Sequence, residues 1–360
     1  VNGTLRPQYT IPAQVVRLRI LNGAIERSYN LGFSDNRSFS VIASDGGLLD
    51  APVPLKQYLL HAGERIEILV DCSGEAGKSI DLKAYNSLLS NFIAGGENFP
   101  GGPFANALGK KDFTILHLNI GAATSAPITT IPTTLTKNVL LDQASATITR
   151  KLTISDSAGV TKPVILGPNA FLINHKLFKM NENDYEVPLN NTEIWEITSS
   201  SALGHPFHIH DVQFQILDRN GIAPPPSEQG WKDVVFVHAG MEVVRFITQF
   251  KDYTNDTIPF MYHCHLLVHE DGGMAGQFLV KNITSGVNDI TSSKSLVTIF
   301  PNPSENIFTI KTSNKAINYI SVFDNLGRKV YEQKMNNSSL DIDLSKQPKG
   351  IYFVSIQSNT

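Results

Sequence analysis

Six of the ten histidines in this sequence fall in two short segments. One is His205-Pro206-Phe207-His208-Ile209-His210. The other is His263-Cys264-His265, followed by His269 four residues later and Met274 five beyond that. Imidazole, thiolate and thioether together suit copper, and two histidines, a cysteine and a weak axial methionine are the ligand set of a blue-copper centre. A tetrahedral zinc site more often brings paired cysteines. Only Cys72 and Cys264 occur here, and Cys264 sits between two histidines, a setting that suits a metal thiolate better than a disulfide. Cys72, within Asp71-Cys72-Ser73-Gly74, reads as an incidental loop thiol.

Strand geometry gives these spacings their meaning. Successive side chains of a strand point to opposite faces, so residues two apart share one. Cys264 then points one way, while His263 and His265 point the other; His208 and His210 likewise share a face. Gly204 and Pro206 set His205 outside that alternation, free to turn toward the cysteine. One copper can sit on Cys264 with His205, His269 and Met274. A separate copper group can sit behind the strand on His208, His210, His263 and His265. The two would be joined by one residue of backbone on either side of Cys264. His61, His117, His175 and His238 each stand alone and read as core or surface residues.

The elements that must hold these residues are strands. In residues 15–20, Val16, Leu18 and Ile20 share one face and Arg17 and Arg19 the other; residues 65–70 repeat the pattern with Ile66, Ile68 and Val70. Helical periodicity of useful length is absent, so the expected class is all-β, built of sandwiches. With 360 residues, 41% hydrophobic and 18% charged, the chain can bury two or three cores. Compositional breaks place a first domain at 1–120, a linker and connecting segment at 121–151, a second domain at 152–282, a spacer at 283–295 and a small β-unit at 296–360. Residues 86–110, rich in Gly and Asn, read as a long surface loop. A net charge of −3 gives no reason to expect nucleic acid as partner, and no apolar run approaches the roughly 18 residues of a membrane span.

At the histidine and cysteine motifs the sequence resembles the multicopper oxidases, a family of linked cupredoxin domains that includes laccases, bilirubin oxidases and cuprous oxidases. Further resemblance lies in Ala43-Ser44-Asp45-Gly46-Gly47, in Gly230-Trp231-Lys232-Asp233 and in His265-Leu266-Leu267-Val268-His269-Glu270-Asp271. It covers about residues 1–282 and implies tandem Greek-key cupredoxin sandwiches, the second and third domains of such an enzyme. Carried over residue by residue, it implies His205, Cys264, His269 and Met274 at type 1 copper, His208 at type 2 copper, and His210, His263 and His265 at the type 3 pair. Electrons from a small-molecule or cuprous-ion reductant would enter through the exposed edge of His269 and pass through Cys264 to O2. Glu270, a charged residue at a strand exit, matches a carboxylate that relays protons. A complete enzyme of the family holds four coppers, and its first domain supplies a His-x-His-Gly and a His-x-His segment. Beyond His208-Ile209-His210 and His263-Cys264-His265, no such segment occurs here. The sequence is therefore expected to be a piece of a longer oxidase, with type 1 copper at best and no activity alone. Five unclustered methionines provide no Met-rich insert of the cuprous-oxidase kind, which favours a laccase-like range of phenols.

The last unit is similar to the C-terminal sorting domain of the type 9 secretion system, at Ile299-Phe300-Pro301-Asn302-Pro303-Ser304, Ser321-Val322-Phe323-Asp324-Asn325-Leu326-Gly327 and Lys349-Gly350-Ile351-Tyr352-Phe353-Val354. Strands are expected at 297–300, 307–311, 319–323 and 351–356, with a hairpin turn at 324–327. This resemblance implies handling by secretion machinery and export across an outer membrane to the surface or medium. The usual basic tail is missing, so this unit is expected to be cut short. The alternative to an oxidase is a blue-copper electron-transfer protein that never reduces O2. A copper nitrite reductase fits less well, because its scheme needs only the histidine preceding the cysteine.

Overall fold

The alternation at 65–70 becomes a strand, Arg65–Asp71, whose Ile66, Ile68 and Val70 are buried and whose Arg65, Glu67 and Leu69 are half exposed. It pairs antiparallel with Val15–Leu21, setting Arg19 opposite Glu67, and both Arg17 and Arg19 form ion pairs with that carboxylate. The computed structural model describes residues 1–97, 107–158, 169–282, 297–312, 317–334 and 337–358. Two compact units emerge, Val1–Ile283 and Thr284–Thr360; the spacer read at 283–295 lies outside the described residues.

Within the first unit, a five-stranded sheet (Gln8–Pro12, Asp112–Gly121, Ser79–Tyr85, Tyr29–Phe33, Gln57–Leu60 in spatial order) faces a four-stranded one that contains Arg65–Asp71. Ile11, Leu31, Phe33, Phe39, Val41 and their neighbours fill the space between. A second pair of five-stranded sheets encloses a core centred on Trp195, which lies among the rings of Phe207, Phe246, Tyr262 and Phe278. Each sandwich has an edge closed by a parallel strand, Gln8–Pro12 on Asp112–Gly121 and Tyr185–Pro188 on Ala275–Lys281.

Between the sandwiches, residues 122–147 carry a single short 3-10 turn and no strand. Leu135 N–H and Asn138 bind Asp50 of the first sandwich, and Leu141 N–H then binds the Gln215 side chain of the second. A strand, Ile148–Ala158, begins within the segment read as linker at 121–151. Residues 86–110 depart from a plain surface loop. Asn86, Leu89, Ile93, Ala94 and Glu97 are buried, and Phe92 accepts a hydrogen bond from Gly204 N–H at 2.8 Å. Residues 98–106 lie outside the described part. Cys72 follows the strand Arg65–Asp71 as a free thiol and is buried against the first core. Arg37 Nη1 lies 3.6 Å from its sulfur.

The second unit pairs two three-stranded sheets around Phe308, Ile310, Ile320, Val322 and Ile342. It contains the expected strands and two more, Lys329–Lys334 and Ser339–Asp343. The expected turn closes the hairpin from Ile317–Phe323 to Lys329–Lys334, with Asp324 accepting from the Leu326 and Arg328 amides. The strand read at 351–356 begins at Phe353.

Candidate metal centre

The site is built on one antiparallel pair. His205–Ile209 lies beside Phe260–Cys264, with Phe207 opposite Cys264 and His208 opposite His263. Directly paired residues share a face, so Phe207 and Cys264 point into the core while His208 and His263 point out of it. His205 is the first residue of this strand, and the alternation itself puts it on the Phe207 face, diagonal to the cysteine. The expectation that it stands outside the alternation is corrected: Gly204 and Pro206 do not release it.

Beyond Cys264 the chain turns into one helical turn, Leu267–Asp271, and returns as Ala275–Lys281. Cys264 N–H donates to Met274 O and Met274 N–H to His269 O, both at 3.0 Å, which closes the segment on itself. His269 and Glu270 therefore lie on a helical turn, and the strand exit expected for Glu270 is not found.

Three buried donor atoms converge. His205 Nδ1 is 3.5 Å and His269 Nδ1 3.8 Å from Cys264 Sγ, and the two nitrogens are 3.1 Å apart. None of the three residues is exposed. Burial holds the His205 imidazole neutral, its pKa lowered to about 3, and pushes the Cys264 thiol up. His205 Nε2 has no hydrogen-bond partner among the described residues. Lone-pair donors crowded in a dry pocket repel unless a cation joins them, so this donor set fits a metal. Met274 is buried in the same core cluster as Cys264.

The imidazole of His269 was expected to present an exposed edge. Instead it is fully buried, stacked on Phe171 at 4.0 Å, with Nε2 3.5 Å from Glu26 Oε1. Glu26 comes from the first sandwich, and nothing in its local sequence separates it from an ordinary surface glutamate.

On the other face stand four imidazoles. Ring centres of His208, His210, His263 and His265 lie 5.1–5.6 Å from their neighbours. His208 Nδ1 is 2.7 Å from the carbonyl of Asp233, and His263 Nδ1 3.0 Å from that of Cys264. A carbonyl only accepts, so both Nδ1 atoms carry the proton and both Nε2 atoms keep a free lone pair. His263 Nε2 faces His210 Nε2 at 3.2 Å. Burial lowers the pKa of His208 and His210, and that of His263 to about 4, so the rings are neutral, as metal ligation requires. Glu270 Oε2 lies 3.2 Å from His263 Nδ1.

The solitary histidines behave as read from sequence. His61 stacks on Phe236 at 3.6 Å, and His117 pairs with Asp81. Outside the expected site lies a charged seam between the sandwiches. Lys232, almost fully buried, bridges Asp45 at 2.8 Å and Glu64 at 3.2 Å. Gly46 N–H donates to Trp231 O at 2.7 Å, and a Cβ on Gly46 would lie 2.5 Å from Trp231. The flagged segments 43–47 and 230–233 thus meet each other. Single-chain periodicity has no means of pairing them.

A cysteine flanked by histidines on an inner strand of a β-sandwich, with a third histidine on the helical turn that follows, defines a cupredoxin-type metal site. Residues 143–283 match the family model described as multicopper oxidase, and residues 298–360 that of a secretion system C-terminal sorting domain. The chain is 32% identical over 286 residues to multicopper oxidase mco of Staphylococcus haemolyticus, covering 78% of this chain and 52% of that protein. It is 30% identical over 279 residues to the cell division protein FtsP of Photorhabdus laumondii, covering 78% and 54%. Among solved structures, the laccase-like multi-copper oxidase CueO of Ochrobactrum sp. superposes with a TM-score of 0.63 at 32% identity, covering 78% of this chain and 59% of that one. Residues 143–283 thus carry the multicopper oxidase family model, 78% of the chain aligns with multicopper oxidases in tandem cupredoxin folds, and copper is the cofactor this likeness implies. It spans about half the length of the curated relatives it matches.

Proposed function

We propose that this chain is the electron-accepting half of a laccase-like multicopper oxidase, which oxidises phenolic or similar donors, or cuprous ion, one electron at a time and reduces O2 to water. The observation that carries this reading is the placement of the Cys264 sulfur beside His205 and His269 on one face, while its backbone neighbours His263 and His265 join His208 and His210 on the other. In this reading Cys264, His205, His269 and Met274 hold type 1 copper, His208 type 2, and His210, His263 and His265 the type 3 pair. Copper bound there would supply one-electron redox chemistry and O2 binding. The family's O2-reducing centre takes eight imidazoles and this chain brings four, so a further protein segment would complete it.

The residues do the rest. The cysteine strand orients the two ligand sets back to back, and the core around Trp195 keeps water from the sulfur. The Glu26 carboxylate, 3.5 Å from His269 Nε2, sets a negative charge on the side of the ring away from the cysteine. Glu270, 3.2 Å from His263, is placed to hand protons toward the histidine cluster. In the enzyme completed by that further segment, Glu270→Gln should slow O2 reduction about 10²–10⁴-fold while leaving reduction of the blue centre unchanged in stopped-flow; equal slowing of both steps removes Glu270 from the relay. Met274→Leu should keep the copper and raise its potential, because the axial ligand tunes it; an unchanged potential in redox titration rules Met274 out. The whole reading is tested by the copper content of this chain and, in the completed enzyme, by O2 uptake with a phenol compared with cuprous ion. Absence of bound copper defeats it.

The second unit supports export by the type 9 secretion system to the cell surface or medium, with the secretion machinery as its partner. No helix among the described residues is long and apolar enough to cross a membrane.

A further inference from the structure

The seam between the sandwiches reaches the histidine cluster through one guanidinium. Arg65 belongs to the first sandwich. Its Nη1 donates to Asp233 Oδ1 at 2.6 Å and to the Gly63 carbonyl at 3.1 Å; its Nη2 donates to Asp233 Oδ2 at 2.6 Å and to the Asp45 carbonyl at 3.0 Å. Both acceptors that matter stand directly behind imidazoles. The Asp233 carbonyl takes the Nδ1 proton of His208. Gly63, at φ +82, lies so close to His265 that a Cβ there would be 2.3 Å from the ring. The Asp233 side chain and the Gly63 carbonyl, from the residues behind His208 and His265 and from different sandwiches, are therefore pinned to one rigid planar fork.

We infer that Arg65 is a positioning residue for the four-histidine cluster: by clamping Asp233 and Gly63 together it fixes the tautomer of His208 and the seat of His265, and so couples the docking of the first sandwich to the metal affinity of the second. Lys232 strengthens the coupling from the other side, because its ammonium holds Asp45, whose Oδ1 accepts the Arg65 backbone N–H at 2.8 Å. This rests on the reading of those histidines as copper ligands only for its metal arm; the tautomer arm stands without it.

The test uses the full chain, metal-free and ¹⁵N-labelled at histidine. Long-range proton–nitrogen spectra should show His208 as a single Nδ1–H tautomer in the native protein. In Arg65→Leu both tautomers should appear at His208 with the His205 signals unmoved. Arg65→Lys keeps the charge without the fork and should show the same mixing; it serves where the leucine variant does not fold. Titration with Cu(II) should then show binding at the histidine cluster weakened about 10–100-fold, with the visible band of the Cys264 site filling at the same copper concentration as before. A single His208 tautomer in both variants overturns the inference. Tautomer mixing in a protein whose native form binds no copper at the cluster upholds the role of Arg65 and overturns the copper reading.

Discussion

Cys264→Ser is expected to abolish the intense visible absorption of the copper-loaded protein completely. That band is charge transfer from thiolate sulfur to copper, and Cys264 Sγ lies 3.5 and 3.8 Å from two imidazole nitrogens. Cys72 cannot replace it, because it is buried in the core of the other sandwich. A serine oxygen is a harder donor and leaves a buried hydroxyl in the pocket, so the variant should also lose about 1–3 kcal/mol of stability. Copper binding to the four-histidine cluster should persist, since that cluster stands on the opposite face of the strand. A visible band of native intensity in Cys264→Ser would falsify the whole assignment.

Lys232→Met should be the most destabilising single change at the seam. The ammonium pairs with the carboxylates of Asp45 and Glu64, whose side chains have little access to water. Removing one partner of a buried ion pair typically costs about 3–5 kcal/mol, which denaturant unfolding at pH 8 would detect easily. The pH dependence follows from Glu64. Burial raises its pKa to about 7 even with Lys232 in place, so the folded state holds a proton there more tightly than the unfolded chain does. Stability from this group is present below the unfolded pKa and is lost as pH rises through the folded one. Without the lysine the folded pKa rises further, and the penalty of Lys232→Met should be smaller at pH 5 than at pH 8. A loss under about 1 kcal/mol at pH 8, or a penalty that grows toward acid, would show that the triad is not a closed charge system.

Much of this was legible in the residues themselves. The two-residue spacing of His208 and His210, and of His263 and His265 about Cys264, survives in three dimensions because a strand has only two faces. Glu270 was found as a carboxylate beside the cluster but placed on the wrong element, since a single helical turn is too short to show a period. His205 was assigned to the right neighbour for the wrong reason, because its strand begins one residue earlier than Pro206 suggests. Arg65 read only as the polar side of an alternating strand. Its role depends on Asp233, 168 residues away, and no local pattern contains that partner. Glu26 was invisible for the same reason.

The burial of His269 sets the manner in which an oxidase of this kind would meet its reductant. With Phe171 over the ring and the Glu26 carboxylate at its outer nitrogen, a donor molecule docks against protein and never against the ligand itself. Electron transfer to a copper held there would then be outer-sphere, past the Phe171 ring or the Glu26 carboxylate. Such a step discriminates donors by reduction potential and by charge, and only weakly by shape.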